Sequence, residues 1–410
     1  MNISRRSLIG STLAASLLSG ANAGAALAQG RALPLKSDFN LGGVYLDSAS
    51  GHPLSLPVLR AMQNYISVRF GEPEHSWHTT EVRDQAAALF ARLINAAPTD
   101  IAIVPSTMIG ENLIGASMGI GKGDRIVTDA FHYWASLAKY GEMRKDGVDV
   151  AVVAPRGNRM MPADVEAAIT AGTRLVAVSL VASHSGFMHD LKQLCDIAHH
   201  RGALIYADII QAAGAVPIDV KASGVDFACC GGHKWLQADR GAAFLYVRPE
   251  ALPHLRRVQT GWLQLKDYQY HAFPNDPPGP PEGSWQMLPD SAASLFEVST
   301  WSHSAVWCLR ASISYILAIG VDRIAAHRRP LTSRLQAAMR DLGYVALTPP
   351  EQNSPIAAFA RRDIDQRIVE RCRSRRIAVS IGDNADYIRV SPSVFNDGDD
   401  IELFLEAVHV

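Results

Sequence analysis

Between residues 101 and 247 short apolar runs alternate with stretches of helical period, and few architectures accommodate that rhythm. The runs are Ile101 to Val104, Asp124 to Thr128, Val150 to Val153, Leu175 to Leu180, Leu204 to Ala207, Phe227 to Cys229 and Ala243 to Val247. Strands alternating with helices predict an α/β fold, here one large domain around a seven-stranded, mostly parallel sheet. Gly172 and Gly202 close helical stretches just before strands, where a left-handed cap is useful.

Upstream, Leu56 to Phe70 and Glu81 to Ile94 carry helical periodicity. From Lys266 to Ser291 the chain turns rich in Pro, Gly and Asp and shows no period of either kind, which predicts a long loop. Ser302 to Ile319 reads as a long helix linking two domains, and a smaller α/β unit follows from Val321 to Val410. The expected division is a leader (1–28), an N-terminal segment (29–60), a large domain (61–301), and the linking helix with the small domain (302–410). There are no internal repeats. With 48% hydrophobic and 19% charged residues, 31 Gly and 22 Pro among 410 residues, collagen-like, coiled-coil and disordered classes are poor fits. A formal net charge of −1 without a basic block excludes a dedicated nucleic-acid binder, so small molecules or proteins are the expected partners.

Met1 to Ala28 holds two charged residues, Arg5 and Arg6, ahead of an apolar stretch too short to span a membrane. Ala26-Leu27-Ala28 has the small-x-small pattern of a signal-peptidase site, so cleavage after Ala28 is expected, with no stable membrane anchor left. Ser4-Arg5-Arg6-Ser7-Leu8-Ile9 resembles the twin-arginine signal, which implies passage through the twin-arginine translocon as a folded protein and a periplasmic location. An ordinary secretory signal is the alternative. Without Arg5 and Arg6 the mature chain is mildly acidic. Cys195, Cys229, Cys230, Cys308 and Cys372 are odd in number and lack metal-ligand spacing, so neither a disulfide framework nor a metal site is expected.

The chemistry concentrates at two strand ends. Gly231-Gly232-His233-Lys234-Trp235-Leu236 places one lysine in a Gly-flanked turn after an apolar strand, where partial desolvation would make it a carbonyl-binding amine. Taken alone, the motif also fits a solvated surface lysine. Leu204-Ile205-Tyr206-Ala207-Asp208 is an apolar strand ending in a carboxylate, with Gln211 three residues on. The last side chain of such a strand points into the crevice of an open sheet. A buried carboxylate needs a cationic partner, and the pyridinium nitrogen of pyridoxal phosphate would supply one. Val104-Pro105-Ser106-Thr107 passes from a strand into a helix opened by two hydroxyls, an arrangement that binds phosphate or merely caps the helix.

With these residues in place the chain resembles the class V aminotransferase group of fold type I pyridoxal-phosphate enzymes, which includes cysteine desulfurases, kynureninase and isopenicillin N epimerase. The likeness spans about Tyr45 to Val410. Its most specific parts are Tyr206-Ala207-Asp208-Ile209-Ile210-Gln211-Ala212-Ala213-Gly214 and Gly232-His233-Lys234-Trp235-Leu236. The resemblance implies pyridoxal 5'-phosphate as cofactor, with Lys234 as the lysine that bonds to it, Asp208 on the ring nitrogen, Gln211 on the ring oxygen, and Ser106, Thr107 and His233 on the phosphate. It places His132 as the ring stacked on the cofactor face, with Tyr133 as its rival. Leu295 to Thr300 resembles a segment whose threonine reaches the neighbouring subunit's phosphate, so Thr300 implies a homodimer with its active site at the interface. Arg389, in Tyr387-Ile388-Arg389-Val390-Ser391, resembles the arginine that grips the substrate carboxylate; a structural ion pair is the alternative.

There are departures. Gly231 stands where many relatives have a serine near the phosphate. Ser183-His184-Ser185-Gly186 stands where relatives often carry Asn-x-Thr-Gly, which leaves His184 as a substitute contact or a substrate acid/base. Val379 to Tyr387 holds no cysteine where a desulfurase keeps its persulfide-forming nucleophile, so cysteine desulfurase activity is not expected. The expected function is that of a pyridoxal-phosphate enzyme acting on an amino-group substrate, with Lys234, Asp208 and His132 as its catalytic set. Transamination-type chemistry comes first, C–S or C–C lysis or epimerisation second, and a non-catalytic ligand-binding homologue third. A twin-arginine signal on this fold is similar to that of a periplasmic siderophore-tailoring enzyme, which implies an amino acid or a peptidic secondary metabolite as substrate.

Overall fold

The computed structural model describes residues 30–71, 78–361, 364, 366–382 and 386–409. The leader and its cleavage site lie outside the described residues. Seven strands form the central sheet: β1 (Ile101–Val104), β2 (Arg125–Asp129), β3 (Asp149–Val153), β4 (Thr173–Ser179), β5 (Leu204–Asp208), β6 (Phe227–Gly231) and β7 (Ala243–Val247). Their order across the sheet is β1-β7-β6-β5-β4-β2-β3. Only β7 runs against the rest, pairing antiparallel with β6 on one side and β1 on the other. The expected α/β fold with a mostly parallel sheet is therefore present, and each predicted strand lies within two residues of its observed bounds.

Both faces of this sheet are covered, which is why its strands read as unbroken apolar runs. Ile205, Ala207, Ala228 and Cys230 enter one core cluster, while Tyr206, Phe227 and Cys229 enter the other. Gly172 and Gly202 have φ of +87° and +76°, the left-handed turns that the chain needs before β4 and β5.

Helix α1 (Leu56–Gly71), helix α2 (His78–Ile94) and helix α3 (His303–Ile319) pack together, and α3 carries Trp307, Cys308, Leu309, Ile313 and Ile316 into the core beneath the sheet. At Gly320, φ +90°, the chain bends by 73° into helix α4 (Val321–Asp341). Among the described residues no single helix is long and apolar enough to cross a membrane.

The C-terminal unit is a four-stranded antiparallel sheet of β10 (Val345–Ala346), β11 (Ala357–Ala360), β13 (Tyr387–Val390) and β12 (Ser380–Ile381), in that order. The N-terminal segment joins it: Val44 and Tyr45 pair in parallel with Ile377 and Ala378, and Leu46 lies in its core.

The predicted loop from Lys266 to Ser291 contains structure. Strands β8 (Leu265–Gln269) and β9 (Ser284–Met287) form an antiparallel hairpin within it. The sequence hides this hairpin because neither face is buried; Tyr268, Trp285 and most of their neighbours are exposed, so no hydrophobic alternation marks the strands.

Candidate active site

The carboxyl ends of β1, β4, β5 and β6 open into one cavity. Ser106 and Thr107 line it from the end of β1, Ser179, Val181 and Ser183 from β4, Asp208, Ile210 and Gln211 from β5, and His233 and Lys234 from the turn after β6. Met108 and Tyr133 complete the wall. This is the crevice at which open α/β sheets bind ligands, and six of the ten site residues singled out from the sequence line it.

Ser106 caps the helix Thr107–Ser117, its Oγ accepting from the Ile109 N–H. The Thr107 hydroxyl oxygen accepts from the Gly231 N–H at 2.9 Å, tying the start of that helix to the end of β6. A Cβ on Gly231 would lie 3.1 Å from Ile210 Cδ1 and 3.3 Å from Thr107 Oγ1, so glycine keeps this junction open.

Asp208 is buried and accepts from the Ile210 N–H at 2.9 Å. Burial pushes its carboxyl up to about 6, against the pull of that N–H, His132 and Lys234. Lys234 shifts the other way. Burial lowers its ammonium, with Asp208 opposing and Arg389 adding to the fall. His233 is held down at about 4, first by burial and then by Lys234, so its ring is neutral at physiological pH. Gln211 Oε1 accepts from Trp235 Nε1 and its Nε2 donates to the Ala49 carbonyl.

Arg389 reaches the site from β13. Its Nη1 donates to the Ser183 carbonyl at 2.8 Å, and its Nη2 to Asp47 at 3.2 Å, to Ser380 at 3.0 Å and to Ser50. Its Nε is buried and has no hydrogen-bond partner among the described residues. The segment from Asp47 to His52 thus closes the cavity from the N-terminal side, since the His52 N–H also donates to the His233 carbonyl.

Three residues are placed differently. His132 is not on the cavity wall; its side chain has no exposed surface, with Nδ1 2.8 Å from Ser179 Oγ and Nε2 3.4 Å from Glu111 Oε1. Tyr133 is on the wall instead. His184 is exposed, its ring centroid 4.3 Å from that of Tyr387, and burial of its inner edge followed by the Arg389 charge lowers its pKa. Thr300 is exposed and does not line this cavity.

The sequence reading passed over Glu111, Ser179, Asp47 and Trp235. Glu111 was detectable as a carboxylate four residues after Thr107 on an otherwise apolar helix. Ser179 and Asp47 left no comparable signal, because their partners His132 and Arg389 are distant in the chain.

The sequence profile of the aminotransferase class-V family matches residues 44–404. The chain belongs to that family. A probable cysteine desulfurase of Methanothermobacter thermautotrophicus is 30% identical over 342 residues, 82% of this chain and 81% of that protein. An uncharacterized aminotransferase, YcbU, of Bacillus subtilis is 29% identical over 289 residues, covering 69% and 71%. Among solved structures, the apo cysteine desulfurase of Thermococcus onnurineus superposes with a TM-score of 0.81 at 22% identity, over 92% of this chain and 98% of that one. The cystine C–S lyase C-DES superposes with a TM-score of 0.79 at 18% identity, over 90% and 97%. The fold is that of fold type I pyridoxal-phosphate enzymes.

The class-V cofactor is pyridoxal 5'-phosphate, and the cavity fits it. Among the described residues Asp208 is a buried carboxylate that bonds to no cationic side chain, as a partner for a pyridinium requires. Lys234 is an amine with a depressed pKa, as bonding to a carbonyl requires. Ser106, Thr107 and a helix N-terminus suit a phosphate.

Proposed function

We propose that the chain is a pyridoxal-phosphate enzyme that breaks a bond at the α-carbon of an amino acid, or of the amino-acid part of a larger metabolite, by transamination-type chemistry. One observation carries this reading: Asp208 and Lys234 line a single cavity that no cysteine lines, and Arg389 is anchored at its edge by the bond to the Ser183 carbonyl.

When bound, pyridoxal phosphate supplies an electron sink conjugated to the substrate nitrogen. Asp208 holds the ring nitrogen protonated. Gln211 turns one Nε2 donor toward the ring oxygen while the other stays on Ala49. Ser106, Thr107 and the helix N-terminus hold the phosphate, joined by a neutral His233 that contributes a hydrogen bond rather than charge. Arg389 takes the substrate carboxylate and so fixes which bond at the α-carbon is aligned for cleavage. Lys234 Nζ, with its lowered pKa, takes up the α-proton and returns it.

C–S lysis is the second reading, supported by the likeness to proteins named as cysteine desulfurases and as a cystine C–S lyase. Against a persulfide-carrying mechanism stands the placement of the thiols. Val379 to Tyr387 contains no cysteine, and all five cysteines are buried, with burial raising the pKa of each. We propose further that the enzyme acts as a homodimer, with the exposed Thr300 serving the partner's site, and that it works in the periplasm on a siderophore-type or other exported substrate. The support for the latter is Arg5-Arg6 and the Ala26-Leu27-Ala28 pattern.

The test is to load the protein with pyridoxal phosphate in D2O and offer single L-amino acids and small peptides. Deuterium entering the α-position together with formation of the corresponding oxo acid supports transamination. Release of sulfide or sulfane sulfur from cysteine or cystine moves the assignment to lysis. No exchange with any α-amino acid or peptide sinks both.

A further inference from the structure

Beneath the cavity floor lies a buried carboxylate that none of the roles above uses. Glu111, 1% exposed, sits one turn into the helix Thr107–Ser117. Its Oε2 accepts from Ser136 Oγ at 2.6 Å and its Oε1 from Tyr140 OH at 2.6 Å. Lys139 Nζ is 3.6 Å from Oε1 and donates to the Glu111 backbone carbonyl, and His132 Nε2 is 3.4 Å from Oε1. On its other edge, His132 Nδ1 meets Ser179 Oγ at 2.8 Å. Ser179 is the last residue of β4, in register with Asp208 on β5, and lines the cavity.

A carboxylate here is a costly choice. Leu113 and Ile114 on the same helix are buried and apolar, and a leucine at 111 would fill the space without desolvating a charge. The carboxylate does two things a leucine cannot. Standing 3.4 Å from His132 Nε2, it gives the ring a counter-charge, and it thereby favours the doubly protonated form, whose Nδ1–H can donate to Ser179. With Nδ1–H donating to Ser179 Oγ, the serine proton must turn elsewhere, and the cavity is the open side.

We propose, resting on the pyridoxal-phosphate reading of the cavity, that Glu111 is a positioning residue that fixes His132 as an imidazolium, which in turn orients the Ser179 hydroxyl as a donor into the cavity beside Asp208. The relay places one positive charge and one aimed hydroxyl beside Asp208 at the cavity.

The charges facing His132 support this. Glu111 and Lys139 stand on one side, with Tyr140 stacked at 6.2 Å; Asp129, paired with His189 at 3.1 Å, and Asp208 stand on the other. Burial alone would strip the proton from His132, but Glu111, then Asp208 and Asp129, reverse the direction and raise its pKa. For Glu111 burial is likewise outweighed, chiefly by His132 and Lys139, and its carboxyl lies at about 2.

The experiment is a pH titration of the visible cofactor band in the holoenzyme, for wild type, Glu111→Gln, Ser179→Ala and the double variant. Glu111→Gln removes the carboxylate that most favours a protonated His132, so the cavity loses positive charge on that side. The bound cofactor then protonates more easily, and the band's pH midpoint should rise by about one unit, a tenfold change in proton affinity. Ser179→Ala, which leaves the buried cluster intact, should raise it by less, and the double variant should fall short of the sum of the two. A midpoint unmoved in Ser179→Ala and in Glu111→Gln, or two fully additive shifts, overturns the relay. A structural role for Glu111 would lower the melting temperature and leave the midpoint in place. If wild type shows no visible band at all, the cofactor reading has failed instead.

Discussion

Trp235 Nε1 donates to Gln211 Oε1 across 2.9 Å, and this bond decides which way the Gln211 amide faces. The indole N–H can only donate, so it must meet the amide oxygen, which turns Nε2 toward the Ala49 carbonyl at 3.0 Å and leaves one N–H free on the cavity side. Gln211→Glu keeps the shape but replaces both donors with an acceptor, and Ala49 loses its partner. We expect pyridoxal phosphate to bind the variant more weakly by about 1–3 kcal/mol, or roughly 5- to 150-fold, in an equilibrium titration of cofactor-free protein. An unchanged dissociation constant would remove Gln211 from the cofactor contacts.

Asp208 gives a pH-dependent prediction. Its carboxyl lies at about 6 in the fold against an ordinary 3.8, because burial disfavours its charge. A carboxyl raised by folding costs stability above its folded pKa, and that cost disappears as pH falls through about 6 toward 3.8. The difference corresponds to about 3 kcal/mol at most. Cofactor-free Asp208→Asn should therefore melt higher than wild type at pH 8, with the advantage shrinking to nothing near pH 4. Loading with pyridoxal phosphate should reverse the order, since only the carboxylate can pair with a pyridinium. A variant that melts lower than wild type at pH 8 without cofactor contradicts the assignment.

Gly110 lies where the helix Thr107–Ser117 crosses β6. A Cβ there would meet Cys229 Sγ at 2.6 Å. Alanine in a helix interior normally adds up to about 1 kcal/mol over glycine. Here Gly110→Ala should instead destabilise by about 1–3 kcal/mol, because the helix must move off the sheet and carry Thr107 away from Gly231. Cys229→Ala removes the obstructing sulfur. The double variant should recover most of the loss in thermal or urea unfolding, and simple additivity of the two single effects would show that the contact is not the cause.

These sites mark how far the sequence could be read. The sheet was legible because its strands read as short apolar runs, and Asp208 and Lys234 were legible because each breaks that pattern at a strand's carboxyl end. The hairpin β8–β9 was not, since Tyr268 and Trp285 face solvent and leave no alternation. Ser179 was not, and Glu111 stood out only as a lone carboxylate, because what gives both meaning is His132, brought between them by a turn after β2. Arg389 was visible, but its partners Asp47 and Ser50 lie more than 330 residues upstream and are brought to it by the parallel pairing of Val44–Tyr45 with Ile377–Ala378 and of Asp47 with Ser391.

That last arrangement yields the sharpest test of substrate recognition. Arg389 already carries a hydrogen bond to Asp47 and another to Ser183, while its buried Nε has no hydrogen-bond partner among the described residues. An incoming carboxylate would satisfy Nε and compete with Asp47 for the planar face, a geometry that an ammonium cannot reproduce. Arg389→Lys should raise KM for α-amino acids about 10- to 100-fold, equivalent to about 1.4–2.8 kcal/mol, and leave the weak reaction with the matching decarboxylated amines nearly unchanged. Asp47→Asn removes the internal competitor, so KM for the same amino acids should fall or hold while kcat stays within about twofold. If Arg389→Lys weakened amines and amino acids alike, the guanidinium would be holding the Asp47 segment in place rather than gripping a substrate carboxylate.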